Sequence, residues 1–200
     1  GGRSAAVSIN GVQAYDIVRL KSDGSPDPSF ATVVRPGYAS SMALQAGGKL
    51  LVGDSAGQFD VQTPSLVRFN SDGTPDGTFR FVPQHGATTN RDVQAIALQS
   101  DGKILVLGDF DLTSPDGSNG TEQRFGLARY LADGSTDLTF RVELSLGFQS
   151  GPIAILSDGR ILLSDGSLLN SDGSLNRHLA LSTSFLLVQP DDRIIASGPA

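Results

Sequence analysis

Four stretches of the chain share one pattern: a short apolar run, a polar turn, a basic residue and a second apolar run. Asp-Gly between runs of aliphatic and β-branched residues is the strongest short-range signal of a β-hairpin. The pattern therefore predicts four hairpins, and the near-continuous apolar runs favour strands that are covered on both faces. The stretches are 41–54, 95–109, 153–165 and 185–198, and their basic residues are Lys49, Lys103, Arg160 and Arg193.

A second phrase alternates with the hairpins and has the frame Arg, Asp-Gly, Asp, Phe. It is clear in IVRLKSDGSPDPSF (17–30), LVRFNSDGTPDGTF (66–79) and LARYLADGSTDLTF (127–140), and degenerate in SLLNSDGSLNRHL (167–179). The apolar start of each copy predicts a third strand, and the segment that ends in Phe leads to a fourth. Tyr130 stands in the register of Leu20 and Phe69, which predicts a core position for it.

Three to four antiparallel strands in a unit of roughly 50 residues are typical of a propeller blade. We therefore predict an all-β, β-propeller-type repeat array of about four blade-like units that together form a single domain. The repeat places these units at about 1–53, 54–108, 109–164 and 165–200. The chain begins at Gly1 without Met, and we expect it to be a fragment of a longer protein.

Composition excludes several classes of function. The formal net charge of −6 and the lack of any basic run predict that the chain has no nucleic-acid partner. No apolar stretch approaches the roughly 18 residues of a membrane-spanning helix, so membrane insertion is not expected. The chain has no Cys, which excludes disulfides, thiolate metal sites and a cysteine nucleophile.

The segment 70–76 carries oxygen side chains at alternate positions and resembles a calcium loop at first sight. However, the same residue types recur in three units, and the terminal bidentate Glu of a calcium loop is missing. We interpret the segment as a bend of the scaffold. Gly73 then supplies a positive φ, Asp76 caps the next bend, Phe79 fills the gap between neighbouring sheets, and Arg68 pairs with a turn carboxylate or with carbonyls.

If the repeated residues form the scaffold, binding specificity must lie in the segments that do not repeat. Loops on a rigid frame are where binding residues tend to lie. Four segments qualify: 55–65, 81–92, 111–124 and 144–151.

The richest of these segments gathers hard oxygen ligands around a Gly-rich turn, and we consider it a candidate calcium site. The alternative is a solvated loop that is acidic because loops are polar. The candidate ligands are Asp109, Asp111, Asp116, Asn119 and Glu122. No other metal or cofactor is predicted, since His85 and His178 are far apart in the sequence and neither has a nearby Cys or second His. No catalytic residue is predicted either, because the chain lacks a GxSxG nucleophile elbow.

The phrase pair ALQSDGKILVLGDF and LARYLADGSTDLTF resembles the bacterial delta-60 repeat, a β-propeller-like repeat of large exported proteins. The resemblance implies a secreted or cell-surface bacterial protein and transfers no catalytic residue. The last copy departs from the pattern, with Leu168 at the Arg position, Asn176 at the second Asp and Leu179 at the Phe.

These observations favour a non-catalytic structural or ligand-binding module of an exported or cell-surface bacterial protein, whose protein or glycan ligand is unknown. The alternative is a propeller enzyme, a polysaccharide hydrolase or lyase, with acids from segments 55–65 and 111–124 meeting over a central channel. A third hypothesis is an accessory domain of such an enzyme.

Overall fold

The computed structural model describes residues 7–9, 12–14, 17–30, 39–54, 65–81, 92–109, 125–142, 151–183 and 185–198. These residues form fourteen short β-strands and one 3-10 turn at Ala46–Gly48, and they contain no α-helix. The strands are β1 (Val7–Ile9), β2 (Val12–Ala14), β3 (Ala39–Leu44), β4 (Leu50–Asp54), β5 (Leu66–Phe69), β6 (Asp92–Leu98), β7 (Ile104–Asp109), β8 (Phe125–Tyr130), β9 (Ile153–Ile155), β10 (Ile161–Leu163), β11 (Ser167–Leu169), β12 (Leu175–His178), β13 (Phe185–Val188) and β14 (Ile194–Ser197).

The strands form five antiparallel sheets, which we number I to V in chain order. They are β1-β2, β3-β4-β5, β6-β7-β8, β9-β10-β11-β12 and β13-β14. The four hairpins predicted from the sequence are confirmed as β3-β4, β6-β7, β9-β10 and β13-β14. The all-β prediction is confirmed, and sheet IV has the fourth strand that the other sheets lack within the described residues.

The boundaries of the sheets differ from the boundaries of the units predicted from the sequence repeat. The predicted unit boundaries near 53 and 108 lie inside β4 and β7, and the one near 164 lies in the turn between β10 and β11. A sheet combines a hairpin with the phrase that follows it. The four units of the sequence do not coincide with the five sheets, because the unit boundaries fall inside sheets and the hairpin β1-β2 precedes the first phrase.

The core consists of apolar layers between consecutive sheets. In β7, Ile104 and Val106 pack against residues of sheet II, whereas Leu105 and Leu107 pack against residues of sheet IV. All four side chains are fully buried. Coverage of both faces explains why the strand has a continuous apolar run rather than an alternating one.

From sheet II to sheet V, the first strand of each sheet contacts the first strand of the next. β3 contacts β6, β6 contacts β9, and β9 contacts β13. The first strands therefore form the inner row of the array, and the third strands β5, β8 and β11 lie on the far side of the second strands.

Register predicted the core correctly where a neighbouring sheet is present. Tyr130 is buried against sheet II, its ring centroid lies 5.0 Å from that of Phe81, and burial raises the pKa of its hydroxyl. Phe69 is buried with Ile17 and Val52, and Phe30 packs against this cluster. Leu20 occupies the same register but is 46% exposed, and it belongs to none of the buried apolar clusters.

Candidate functional site

The two ends of each sheet carry different connections. In sheet III, the first residue of β6, Asp92, pairs with Asp109 at the end of β7, and Asp109 also pairs with Phe125 at the start of β8. We call this end the loop end. It is marked by Ala39, Asp54 and Leu66 in sheet II, by Asp92, Asp109 and Phe125 in sheet III, and by Ile153, Leu163 and Ser167 in sheet IV. The opposite end, the turn end, carries the tight turns at 45–49, 99–103, 156–160 and 189–193.

Neighbouring sheets have their loop ends on the same side. Ser40 of sheet II donates its hydroxyl proton to the carbonyl of Val93, the second residue of β6. The backbone amide of Ile96 donates to the hydroxyl oxygen of Ser41 at 3.0 Å. At the boundary between sheets IV and V, the amide of Thr183 donates to Ser164 O at 2.9 Å, and its hydroxyl donates to the carbonyl of Ser197.

The four non-repeating segments are all attached to this common end. Segment 55–65 connects β4 to β5, 81–92 leads into β6, 111–124 follows β7 and leads to β8, and 144–151 precedes β9. Each is bounded by at least one loop-end residue. Apart from Ser65, Phe81, Asp92 and Gly151, the segments themselves lie outside the described residues.

The candidate calcium site is placed only in part. Asp109 is the last residue of β7, and Asp111, Asp116, Asn119 and Glu122 lie outside the described residues. The cation site therefore stays a prediction. Among the residues that the structure describes, no group of three or more His, Asp or Glu side chains could hold a metal ion.

Sequence reasoning included Asp92 only as the last residue of segment 81–92 and did not single it out. Asp92 is the backbone partner of Asp109, so two acidic residues stand opposite each other at the loop end of sheet III. The hairpin register was the signal that could have found it, because strands that leave the turn at 99–103 bring these two residues to the same level.

Arg68 is the centre of a repeated cluster at the turn end. Its Nε donates to Asp76 Oδ2 at 2.7 Å, and the amide and hydroxyl of Thr78 donate to Asp76 Oδ1 at 3.0 and 2.6 Å. Its guanidinium carbon lies 4.6 Å from the centroid of the Phe79 ring, and Nη1 donates to the carbonyl of Ala132. Ala132 belongs to the turn of sheet III, so the arginine of one sheet holds the turn of the next.

The same contacts recur on both sides of sheet II. Arg19 pairs with Asp27 at 2.8 Å and donates to Ser71 O at 2.6 Å in the turn of sheet II. Arg129 pairs with Asp137 at 2.8 Å and donates to the carbonyl of Ser171 in the turn of sheet IV. The predicted pairing of these arginines with turn carboxylates and carbonyls is confirmed. Leu168 takes the arginine position in sheet IV, so sheet IV has no equivalent of this arginine cluster.

The aspartates of the Asp-Gly turns act as turn residues, as the sequence predicted. Asp72 Oδ1 accepts the amide of Thr74 at 2.9 Å and its hydroxyl at 2.6 Å, and Gly73 has a φ of 84°. These two hydrogen bonds hold the pKa of the Asp72 carboxyl below its usual value. Asp23, Asp133 and Asp172 make the same pair of bonds.

The buried aspartates of the clusters are held as anions by different sets of donors. Lys49 Nζ lies 2.6 Å from Asp76 Oδ2, and this bond, with those from Thr78 and Arg68, holds the pKa of Asp76 far below its usual value. Burial acts to raise the pKa of Asp137, but the bonds from Thr139 and the charge of Arg129 outweigh it and lower that pKa. In sheet III the lysine equivalent to Lys49 bonds Asp101 of its own turn.

We expect the free energy of unfolding to be nearly constant from about pH 7 to about pH 5 and to fall as the pH drops below about 4. Asp76 and Asp137 have lower pKa values in the folded than in the unfolded chain. Their contribution is therefore present above the unfolded-state pKa and is lost as the pH falls toward the folded-state value. Urea unfolding over this pH range measures the effect. An Asp137→Asn variant should lose less stability than the wild type below about pH 4, and an equal loss would contradict the assignment.

The described histidine does not complete a nucleophilic site. His178 Nδ1 lies 3.3 Å from Ser167 Oγ, but Ser167 is fully buried and its hydroxyl bonds Asp165 Oδ2 at 2.9 Å. A buried serine that donates to a carboxylate is not available to attack a substrate. His85 lies outside the described residues.

Successive antiparallel sheets, packed face to face with their first strands in one inner row, define a β-propeller. The family model described as "Domain of unknown function (DUF5122) beta-propeller" matches residues 2–30, 45–79 and 99–140. The chain belongs to this family. Each matched segment ends at the Phe of an arginine cluster, so these clusters belong to the family pattern.

Solved structures share the fold. A protein proposed to be a gluconolactonase is similar with a TM-score of 0.51 and 20% identity over 85% of this chain and 58% of that chain. Virginiamycin B lyase from Staphylococcus aureus gives 0.45 and 13%, over 80% of this chain and 48% of that one. A gluconolactonase from Xanthomonas campestris gives 0.42 and 14%, over 89% and 74%.

The chain thus spans little more than half of the first of these structures, 58% of its length, and at 20% identity the likeness shows the fold alone. No curated protein matches the sequence. No helix in the described ranges is both long and apolar enough to cross a membrane.

Proposed function

We propose that the chain is a non-catalytic structural or ligand-binding β-propeller module, built from repeats of the delta-60 type, in an exported or cell-surface bacterial protein. One observation carries the binding role: every non-repeating segment is attached at the loop end of the sheets. Its ligand is a protein or a glycan that contacts this end.

The repeated polar residues support a structural role for the repeat and a binding role for the segments that do not repeat. The side chains of Arg68 and Arg129 and of their partners Asp76 and Asp137 are less than a tenth exposed and bond one another or the next sheet. Side chains engaged in this way maintain the frame and are not free to recognise a ligand. Sequence that varies on a rigid frame is where recognition is expected.

A loop-shortened variant tests the binding role. Sheet IV connects its second and third strands by the tight turn Ser164–Gly166, so replacing residues 110–124 of sheet III by Ser-Asp-Gly should keep the β7-β8 register. We expect this variant to unfold within a few degrees of the wild type and to lose binding on a glycan panel. The same replacement of residues 55–64 between β4 and β5 tests a second of the loop-end segments in the same way. Retention of all binding by both variants would refute a loop-end site.

We further propose that residues 109–124 bind calcium through Asp109, Asp111, Asp116, Asn119 and Glu122. We expect millimolar calcium to raise the midpoint of thermal unfolding of the chelator-stripped protein by several degrees. An Asp111→Asn, Asp116→Asn variant should lose this shift, whereas Asp23→Asn in an exposed turn should keep it. The absence of any shift in the wild type would contradict calcium binding.

An enzyme is the alternative, and the pairing of Asp92 with Asp109 at the loop end is the observation that favours it. Glycoside hydrolysis uses a pair of Asp or Glu residues, and the backbone register brings two acidic residues to one level of sheet III. Lactone hydrolysis is a second candidate reaction, because a solved structure that is similar to this chain with a TM-score of 0.51 is proposed to be a gluconolactonase. Turnover of polysaccharides or sugar lactones that Asp111→Asn abolishes would support the enzyme, and binding without turnover would support the module.

A further inference from the structure

The residues that follow the Asp-Gly turn of the phrase adopt two different conformations in this chain. In sheet III, residues 136–139 begin with the isolated pair of Thr136 with Tyr130 and then bend. In sheet IV the equivalent residues form β12, whose first residue, Leu175, pairs with Leu169. These two pairs occupy the same repeat positions. The two conformations are therefore alike up to this pair and separate at the next residue.

One backbone amide shows the difference directly. The amide of Phe140 donates to Asp137 O at 3.2 Å and so closes the bend. The equivalent amide in sheet IV, that of Leu179, donates to Gly166 O at 2.8 Å, next to the first residue of β11. The same donor thus bonds within its own segment in sheet III and across to the third strand in sheet IV. The bend type also occurs in the other two clear copies of the phrase, as Phe30 to Asp27 and Phe79 to Asp76.

Three contacts hold the bend of sheet III. Asp137 Oδ1 accepts the amide and the hydroxyl of Thr139 at 3.0 and 2.6 Å, and a carboxylate that caps the residue two positions on requires the chain to turn. Asp137 Oδ2 accepts from Arg129 Nε at 2.8 Å. The guanidinium carbon of Arg129 lies 4.6 Å from the centroid of the Phe140 ring. The arginine therefore contacts both the first and the last residue of the bend.

Sheet IV has none of these three contacts. Leu168 stands at the position of the arginine, Asn176 at that of the aspartate and His178 at that of the threonine. The side-chain amide of Asn176 donates to Asn170 Oδ1 at 2.9 Å instead of capping a bend. The segment continues as a strand, and His178 pairs with Ser167 of β11.

The buried ion pair explains why one conformation excludes the other. A fourth strand satisfies backbone donors and acceptors at the outer edge of the third strand. In sheet III this strand would pull Asp137 away from Arg129, and both side chains are less than a tenth exposed. Separation of a buried ion pair leaves uncompensated charges and is strongly unfavourable. Leu168 and Asn176 carry no charge, so sheet IV gains the strand without this cost.

We propose that the arginine–aspartate pair is a conformational device of the repeat. It keeps the residues after the Asp-Gly turn out of the sheet, and a copy of the phrase without the pair adds them as a fourth strand. The pair thereby determines the path of the chain to the next sheet.

The device decides which connections carry a variable segment. In sheets II and III the bend is followed by segments 81–92 and 144–151. The connection from sheet IV contains β12 and is shorter: Asp172 and Leu186 are fourteen positions apart, whereas Asp133 and Ile153, at the same repeat positions, are twenty apart. The conformational role stands on this geometry, and its consequence for ligand binding rests on the proposed function.

A graft from sheet IV into sheet III tests the device. The variant Arg129→Leu, Asp137→Asn, Thr139→His carries the residues of sheet IV at the full connection length. We expect nuclear magnetic resonance to show a new close contact between the α-protons of residue 139 and Ala128, which the wild type lacks. His178 and Ser167 form the equivalent pair in sheet IV, and their contact is the internal reference in both proteins.

Asp133→Asn, Ser135→Ala is the matched control. It removes the two hydrogen bonds that cap the neighbouring Asp-Gly turn and leaves the ion pair intact. We expect this variant to keep the bend. A contact between residue 139 and Ala128 in the control would show that any weakening of the phrase releases the strand, and it would overturn the proposal.

A deletion tests the competing explanation, the length of the connection. Removal of residues 144–149 gives sheet III the connection length of sheet IV with the ion pair in place, and we expect the bend to persist. A fourth strand after the deletion alone would overturn the proposal, and so would a bend that persists in the graft.

The equivalent graft in sheet II, Arg68→Leu, Asp76→Asn, Thr78→His, keeps the test independent of the folding of a single variant. The expected new contact there is between the α-protons of residue 78 and Val67. No ligand takes part in these measurements, so a failed binding assay and a failed conformational proposal are separate results.

Discussion

Replacing Arg129 by Met is expected to lower the free energy of unfolding by about 3–5 kcal/mol, because it leaves Asp137 as an unpaired buried charge. The side chains of Arg129 and Asp137 are 7% and 5% exposed. The variant also loses the bond to the carbonyl of Ser171 and the contact with the Phe140 ring. Urea unfolding monitored by circular dichroism measures the loss.

Arg68→Met is the matched comparison in the next cluster. Asp76 keeps a second cation there, since Lys49 Nζ lies 2.6 Å from its Oδ2. We expect Arg68→Met to cost about 1–2 kcal/mol less than Arg129→Met for this reason. The double variant Lys49→Met, Arg68→Met should then approach the loss seen for Arg129→Met. If Arg68→Met and Arg129→Met have equal effects, the lysine contributes nothing to the stability of the buried carboxylate.

Sheet IV shows how the loss can be recovered. There, Leu168 and Asn176 replace both members of the ion pair, so no charge is left unpaired. The double variant Arg129→Leu, Asp137→Asn should therefore be more stable than Arg129→Leu alone, because removal of both partners avoids the desolvated charge. A double variant that is no more stable would show that the bond to Ser171, and not the ion pair, dominates the cluster.

Gly134→Ala is expected to destabilise the fold by about 2–4 kcal/mol, through backbone strain and a steric clash together. Gly134 has a φ of 89°, and a Cβ there would lie 2.7 Å from the Phe79 ring and 3.0 Å from Arg80 N. The amide of Arg80 is fixed by its bond to Asp133 O at 2.7 Å, so sheet II cannot easily move away.

Gly24→Ala separates the two contributions. Gly24 occupies the same turn position with a φ of 81°, and a Cβ there would meet no atom within 4 Å. Its replacement should cost only the strain of a positive φ, about 1–2 kcal/mol. The difference between the two variants measures how closely sheet II approaches the turn of sheet III. Equal losses in thermal unfolding would show that the inter-sheet contact at Gly134 relaxes without cost.

The sequence predicted some parts of the candidate site and not others. The sequence identified the non-repeating segments because they interrupt a repeat, and it recognised the Asp-Gly residues as turns because their types recur. It did not single out Asp92 within segment 81–92, because the pairing of Asp92 with Asp109 depends on the register of β6 and β7. It also could not show that the variable segments share one end, because that follows from the common orientation of the sheets.

Other features were settled by neighbouring sheets. Leu20, Phe69 and Tyr130 have one register, yet only Phe69 and Tyr130 lie in a buried apolar cluster, which residues from other parts of the chain complete. The pairing of Arg68 with a turn carboxylate could be predicted because the two residues are only eight positions apart in the chain. Its bond to Ala132 could not, since those residues are 64 positions apart in the chain.

The sequence by itself determined the strands, the tight turns and the ion pairs within a phrase, because these depend on hydrogen bonds and side-chain chemistry between residues that are near in the chain. Only the tertiary structure decided which phrase completes which sheet, which apolar faces are covered and where the variable segments meet. These features depend on packing between sheets, which is set by the order and orientation in which the sheets stack. Because the repeats are similar to one another, their sequences do not show which sheet packs against which.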